Sequence, residues 1–225
     1  MQHRTFRYKI AYLTKDGRER GREWCLLSLH GNGDRTMRAM CEMDDSEVLR
    51  DVTYTVARDW SPRDAFIRVS QRDRLIGSAW FRIAGQVIEC EAFTTGEGRL
   101  SQRVDLGAAP KSFITHAVSN DVWHCANIAK DAARGVQTIA PLPACSPLPN
   151  GASGPMVCLW PMKAIYVGEE RITTRAGTFA CEHVSYQNPD GSLWLDTWCT
   201  GEHRVMVKMY YPIYESRYEL VEFEG

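Results

Sequence analysis

The sequence predicts a mainly β fold, an antiparallel barrel or strongly curved sheet around a small apolar cavity. Two observations carry this. Short runs of alternating apolar and polar residues recur along most of the chain, separated by Gly, Asn and Asp, which is the pattern of many short strands joined by tight turns. One of those breaks, Asn188-Pro189-Asp190-Gly191, is a strong turn sequence, because Pro presets the second turn position and Gly tolerates the backbone angles later in it.

The elements follow in order. Phe6 to Leu13 is a first run, and Lys15-Asp16-Gly17 turns it into Glu23 to Leu29. His30-Gly31-Asn32-Gly33-Asp34 is a second turn, and Arg35 to Met43 a third strand. Val52 to Ala57, Ala65 to Ser70, Ser78 to Ile83, Gln86 to Thr94 and Arg99 to Leu106 extend the series. The middle differs: Asn120 to Arg134 reads as a helix, capped by Ser119 or Asn120 and stopped by Gly135. Residues 141–155 are broken by Pro and Gly into a long loop, of the kind that serves as a lid or binding loop. Strands resume at Met162 to Val167 and continue to the end. One domain over residues 1–225 is the simplest organisation, with a helical insertion at about 119–134.

Composition narrows the function classes. The chain is 44% hydrophobic and 24% charged, with net charge -1, ordinary for a globular protein. No stretch approaches the roughly 20 apolar residues of a membrane helix. The densest basic segment, Arg18 to Glu23, alternates arginines with acids, so a nucleic-acid partner is not expected. The start, Met1 to Tyr8, is basic but no apolar core follows it; a cytoplasmic location is the expectation. Eight cysteines contain no Cys-x-x-Cys pair, which reads as reduced thiols, several packed as small hydrophobes, with no structural zinc.

The hairpin at residues 188–191 gives a register. Pairing Gln187 with Ser192 sets Ser185 opposite Trp194 and His183 opposite Asp196. A following turn at Gly201-Glu202 sets Trp198 opposite Val205 and Trp194 opposite Met209. One face then carries His183, Asp196, Trp194, Trp198, Val205, Val207, Met209 and Tyr211, and the other Lys208 and Tyr210. A His beside an Asp on an otherwise apolar wall is a candidate acid/base pair, since the carboxylate orients the ring and selects its tautomer. The neighbouring indoles offer flat surfaces for a ligand. A solvated cross-strand pair and core-filling tryptophans are the plainer readings of the same residues.

A second cluster runs from Thr115 to His124. His116 precedes the helix and is placed at a cavity mouth; Trp123 is a candidate ligand contact. Asp121 reads as a first-turn acid favoured by the helix dipole, and His124 as exposed. His116, His124, His183 and Asp196 lack any metal-binding spacing, and no metal is expected. Nor is there a nucleophile elbow, a phosphate loop or a dinucleotide fingerprint.

The alternating strands, the Asn188 to Gly191 hairpin and the ending Tyr211-Pro212-Ile213-Tyr214-Glu215-Ser216-Arg217-Tyr218-Glu219-Leu220-Val221 resemble lipocalin-like bacterial β-barrels of uncharacterised function. The resemblance is one of architecture, strongest in the C-terminal third, and implies a bound apolar molecule. Two functions are carried forward. One is a cofactor-independent acid/base enzyme, a lyase, isomerase or hydratase acting on a small aromatic or terpenoid-like molecule, with His183, Asp196 and His116 catalytic and Trp123, Trp194, Trp198, Met209 and Tyr211 lining the site. The other is a carrier for a small hydrophobic ligand. Neither needs a cofactor, and a homo-oligomer is compatible with either.

Overall fold

A computed structural model describes residues 3–225. Fourteen strands form one antiparallel sheet. Its N-terminal half comprises β1 (Arg4–Leu13), β2 (Glu19–Leu29), β3 (Arg35–Met43), β4 (Val48–Val56), β5 (Pro62–Gln71), β6 (Arg74–Ala84), β7 (Val87–Thr94) and β8 (Gly98–Asp105). Each pairs with the next as a meander. The insertion follows: α1 (Val118–Asp121), continued as a 3-10 helix over Val122–Asn127, a short 3-10 turn Ala132–Arg134, strand β9 (Val136–Ile139) and a two-stranded ribbon of β10 (Pro143–Ala144) and β11 (Cys158–Leu159). The second half comprises β12 (Met162–Thr174), β13 (Gly177–Gln187), β14 (Leu193–Thr200), β15 (Met206–Tyr211) and β16 (Ser216–Glu224).

The last strand pairs with the first, so β16 and β1 join the two meanders into one sheet, with β8 and β9 at its ends. The chain between those two edge strands does not run over the outside. It enters the concave side and fills it. Tyr54 of β4 meets Trp123 at a ring distance of 5.5 Å, and Phe81 of β6 meets Phe113 at 5.1 Å. Trp60 closes edge-on over Trp123 at 5.6 Å. Each such buried side chain contributes about 1.5–3 kcal/mol. Apolar residues alternate inward along every strand of the first half, as in β4 with Val48, Val52, Tyr54 and Val56. The interior is therefore largely a packed core, not the open apolar cavity the strand pattern suggests.

The helix is shorter than the sequence pattern indicates, ending at Asn127, and its cap is not local. Ala117 occupies the cap position without a side-chain bond. Glu23 of β2 does the work instead: it is fully buried and accepts the N–H groups of Val118 at 2.9 Å and Ser119 at 3.0 Å, together with the Tyr12 hydroxyl at 2.7 Å. A carboxylate satisfying two orphan N–H groups at a helix start is electrostatically favoured. The loop of residues 141–155 is also drawn in. Leu142, Ala144, Cys145 and Ser146 are buried, and Arg50 of β4 donates to the carbonyls of His116 and Asn150 at 2.7 and 2.6 Å.

Candidate functional site

The C-terminal hairpins decide where the expected wall residues go. The turn at residues 188–191 forms as expected, with Gly191 N–H donating to Asn188 at 2.9 Å and Gly191 at a φ of 88°. A bulge then shifts the ladder between Tyr186 and Gln187, so that Ser185 faces Asp196 and His183 faces Trp198. A shift of two residues keeps His183, Asp196 and Trp198 on one face, but the extra residue turns Trp194 inward. The next turn is longer than expected, with Thr200 N–H donating to Val205, and it pairs Trp198 with Lys208 and Asp196 with Tyr210. That register differs from the expected one by an odd number of residues, which exchanges the faces.

The expected wall is thus split by the sheet. Val207, Met209 and Tyr211 point inward, whereas His183, Asp196 and Trp198 lie on the outer face with Lys208 and Tyr210. There His183 stacks on Trp198 at 4.2 Å and lies between Asp196 at 3.2 Å and Glu170 at 3.3 Å. Lys208 covers the same indole at 4.8 Å. Burial raises the Asp196 pKa, but hydrogen bonds from His183 and Ser185 outweigh it and leave the carboxyl below its ordinary range. The pair exists, diagonally rather than directly opposed, but on the surface turned away from the insertion.

The inner face holds a pocket of about 160 Å³, lined by residues of the sheet, the helix start and the 141–155 loop. Tyr12, Met43 and Arg50 come from the first half, Met209, Tyr211 and Tyr218 from the second, and His116, Asp121 and Asn150 from the insertion. The expected ligand contacts distribute around it. Met209 and Tyr211 form its wall. Trp194 lies behind, donating its indole N–H to the Tyr211 hydroxyl at 2.7 Å and stacking on Trp160 at 5.1 Å. Trp123 is core, enclosed by Tyr54 and Trp60. A larger groove, about 620 Å³, runs over the outer face of β1 to β4 past Trp24 and Met40, but it mixes Arg7, Lys9 and Arg38 with Asp51, Glu222 and Glu224.

The pocket's polar groups are unusually placed. His116 adopts a φ of 59°, a left-handed conformation rare for a bulky residue. Its Nε2 lies 3.3 Å from the Ser146 carbonyl, and burial together with the Arg50 charge pushes its pKa down to about 3, so it is neutral. Arg50 is buried, and both its Nη atoms are spent on backbone carbonyls rather than on a carboxylate. The Asp121 side chain is only 16% exposed, and His124 Nε2 lies 3.7 Å away, a long contact for a hydrogen bond. Burial raises its pKa. His124 is buried, contrary to the expectation of exposure, and its Nδ1 is 2.5 Å from the Ser112 hydroxyl. Ser112, His124 and Asp121 have the composition of a nucleophilic triad, but Ser112 is buried outside the pocket and the His–Asp gap is too long.

Asp121 is the residue that sequence reasoning undervalued. Its signal was present in the His116, Asp121 and His124 cluster, but the helix-dipole reading explained it without a pocket. The dipole role itself is weak, because Glu23 already occupies the helix start.

No family model and no curated protein matches the chain. Solved structures do. A β-barrel-like protein of the domain of unknown function DUF1849 from Brucella abortus superimposes with a TM-score of 0.55, at 10% identity, over 98% of this chain and 97% of that one. A DUF1089 family protein from Pseudomonas aeruginosa matches with a TM-score of 0.46, at 13% identity, over 85% and 90%. The first likeness establishes the architecture: the protein has a β-barrel-like fold, mostly antiparallel sheet, of the kind the strand pattern indicated.

Proposed function

We propose that the protein binds a small aromatic molecule, bearing a hydroxyl or carboxylate, in the pocket beside Asp121. The observation behind this reading is Asp121 itself, a largely buried carboxyl group facing the pocket whose ion-pair neighbour, His124, stands off at 3.7 Å. Leaving such a group desolvated and only weakly paired costs up to about 1–3 kcal/mol, which a ligand's polar group would offset. Arg50 adds a positive charge that meets no carboxylate, so an acceptor or anionic head fits the same end. The phenol rings of Tyr12, Tyr211, Tyr214 and Tyr218 and the thioethers of Met43 and Met209 supply the flat apolar remainder. At about 160 Å³ the space suits a ligand near the size of benzene, which an apolar cavity of about 150 Å³ accepts. A lipid chain would not fit.

A second reading, acid/base catalysis on such a molecule, rests on one observation. Two titratable groups of the pocket are shifted in opposite senses, Asp121 upward by burial and His116 downward by burial and the Arg50 charge, and environments that push two groups apart in this way divide acid from base roles. In this reading a lyase, isomerase or hydratase would use Asp121 as acid and His116 as base.

The test is calorimetric titration with a panel of benzoates and phenols, alongside native mass spectrometry for a co-purified molecule. Binding weakened about tenfold in Asp121→Asn and in Tyr211→Phe, and unchanged in His183→Ala, is expected. Equal affinity in all three variants would place the ligand elsewhere. Product formation lost in Asp121→Asn with ligand retained would favour catalysis over carriage.

A further inference from the structure

The insertion meets the sheet at a second polar cluster, away from the pocket. Cys125, on the 3-10 helix, and Cys199, on β14, bring their sulphurs to 3.9 Å, and both are buried. Arg204 Nη1 lies 2.8 Å from Cys125 Sγ and 3.1 Å from Glu182 Oε2, and Lys130 pairs with the other Glu182 oxygen. Arg204 is itself held at a φ of 50° in the β14–β15 turn, fixing its guanidinium between the two.

We propose that Cys125 and Cys199 are a redox-active dithiol that closes to a disulfide, stapling the insertion to the sheet. Two features support it. The sulphurs lie 3.9 Å apart, and a disulfide brings them to about 2 Å. The charges also balance when Cys125 is a thiolate: Cys125 and Glu182 against Arg204 and Lys130. The hydrogen bond from Cys199 and the Arg204 charge both lower the Cys125 pKa, against burial, and the thiolate is the attacking species in exchange. The same balance disfavours a metal at Cys125, Glu182 and Cys199, although their ligand atoms lie within 4.8 Å of one another, because two cations already neutralise the site.

The oxidant is a small-molecule or protein disulfide. Cys125 thiolate attacks one of its sulphurs, and the other leaves as a thiolate. Cys199 then loses its proton and attacks the Cys125 sulphur, expelling the second thiolate. Two protein thiols lose two electrons and the oxidant's disulfide bond takes them, ending as two thiols. Because both sulphurs are buried, the exchange occurs during folding or local opening of the insertion.

The full chain should be refolded in a buffer of reduced and oxidised glutathione and in one with a phosphine reductant. Peptide mapping is expected to give one cross-link, Cys125 to Cys199, and the thiols titratable after denaturation should fall from eight to six. Wild type should melt at least about 4 °C higher oxidised than reduced, whereas Cys199→Ser should show no such difference. A refolded oxidised sample with all eight thiols free would overturn the proposal. So would one zinc per chain on purified protein that is lost in Cys125→Ser.

Discussion

Glu23 accepts the backbone N–H of Val118 at 2.9 Å across ninety-five residues of sequence. That single bond, with its neighbour to Ser119, ties the insertion to the sheet that surrounds it. Replacing Glu23 by Ala strips the acceptor from two N–H groups and a phenol inside the core. A loss of about 3–5 kcal/mol is expected. Glu23→Gln, which keeps a carbonyl oxygen, should cost about 1–2 kcal/mol. Urea denaturation midpoints measure both, and equal midpoints for the two variants would contradict the capping role.

His116 is a source of acid sensitivity on the inner face. Its folded pKa is depressed to about 3 against an ordinary 6.5. Above 6.5 both states are neutral and the stability is fully present. As pH falls from 6.5 towards 3 the unfolded chain takes up the proton first, and stability is lost. His116→Asn tolerates the left-handed backbone without titrating. It should flatten that limb by on the order of a few kcal/mol, as read from denaturation curves between pH 7 and 3.5.

Asp121 should behave in the opposite sense. Burial raises its folded pKa, so the folded state holds the proton more tightly than the unfolded chain. The penalty develops as pH rises above the ordinary value of 3.8 and reaches its full size above the folded pKa. Asp121→Asn is therefore expected to be more stable than the parent at pH 7 and equal to it at pH 3.5. A variant less stable at pH 7 would show that the carboxylate has a structural partner.

Gly151 has no room for a side chain. At its φ of 63° a Cβ would lie 2.6 Å from His116 Cβ and 2.7 Å from Arg50 Nη2. Gly151→Ala should cost about 1–3 kcal/mol from the backbone conformation and displace the loop. Limited proteolysis should then cut within residues 141–155 faster than in the parent, with weaker ligand binding.

His183 tests the outer face. Its ring is stacked and flanked by two carboxylates on the outer face, the His183 side chain 17% exposed and Asp196 20%, and ion pairs at a protein surface are worth about 0–1 kcal/mol. His183→Ala should shift stability by no more than about 1 kcal/mol. Larger losses, measured by thermal melting, would assign this cluster a role that its position does not indicate.

The strand series was legible because alternation is a local property: Val48, Val52, Tyr54 and Val56 announce the buried face of β4 whatever lies beyond it. The turn at residues 188–191 was legible for the same reason, since its chemistry is contained in four residues. Register was not. The bulge beside Tyr186 and the longer turn before Val205 leave no local mark in the sequence. One odd shift was enough to send Met209 and Tyr211 to the pocket and leave His183 outside.

The sequence by itself determined a barrel-like antiparallel sheet and an insertion in its middle. The tertiary structure alone decided that the insertion fills the barrel, that Glu23 caps its helix, and that Asp121 faces a small space with His124 at its edge. The physical reason is range: periodicity and turn chemistry act over a few residues, whereas a buried carboxyl's environment is assembled from strands and loops a hundred residues apart.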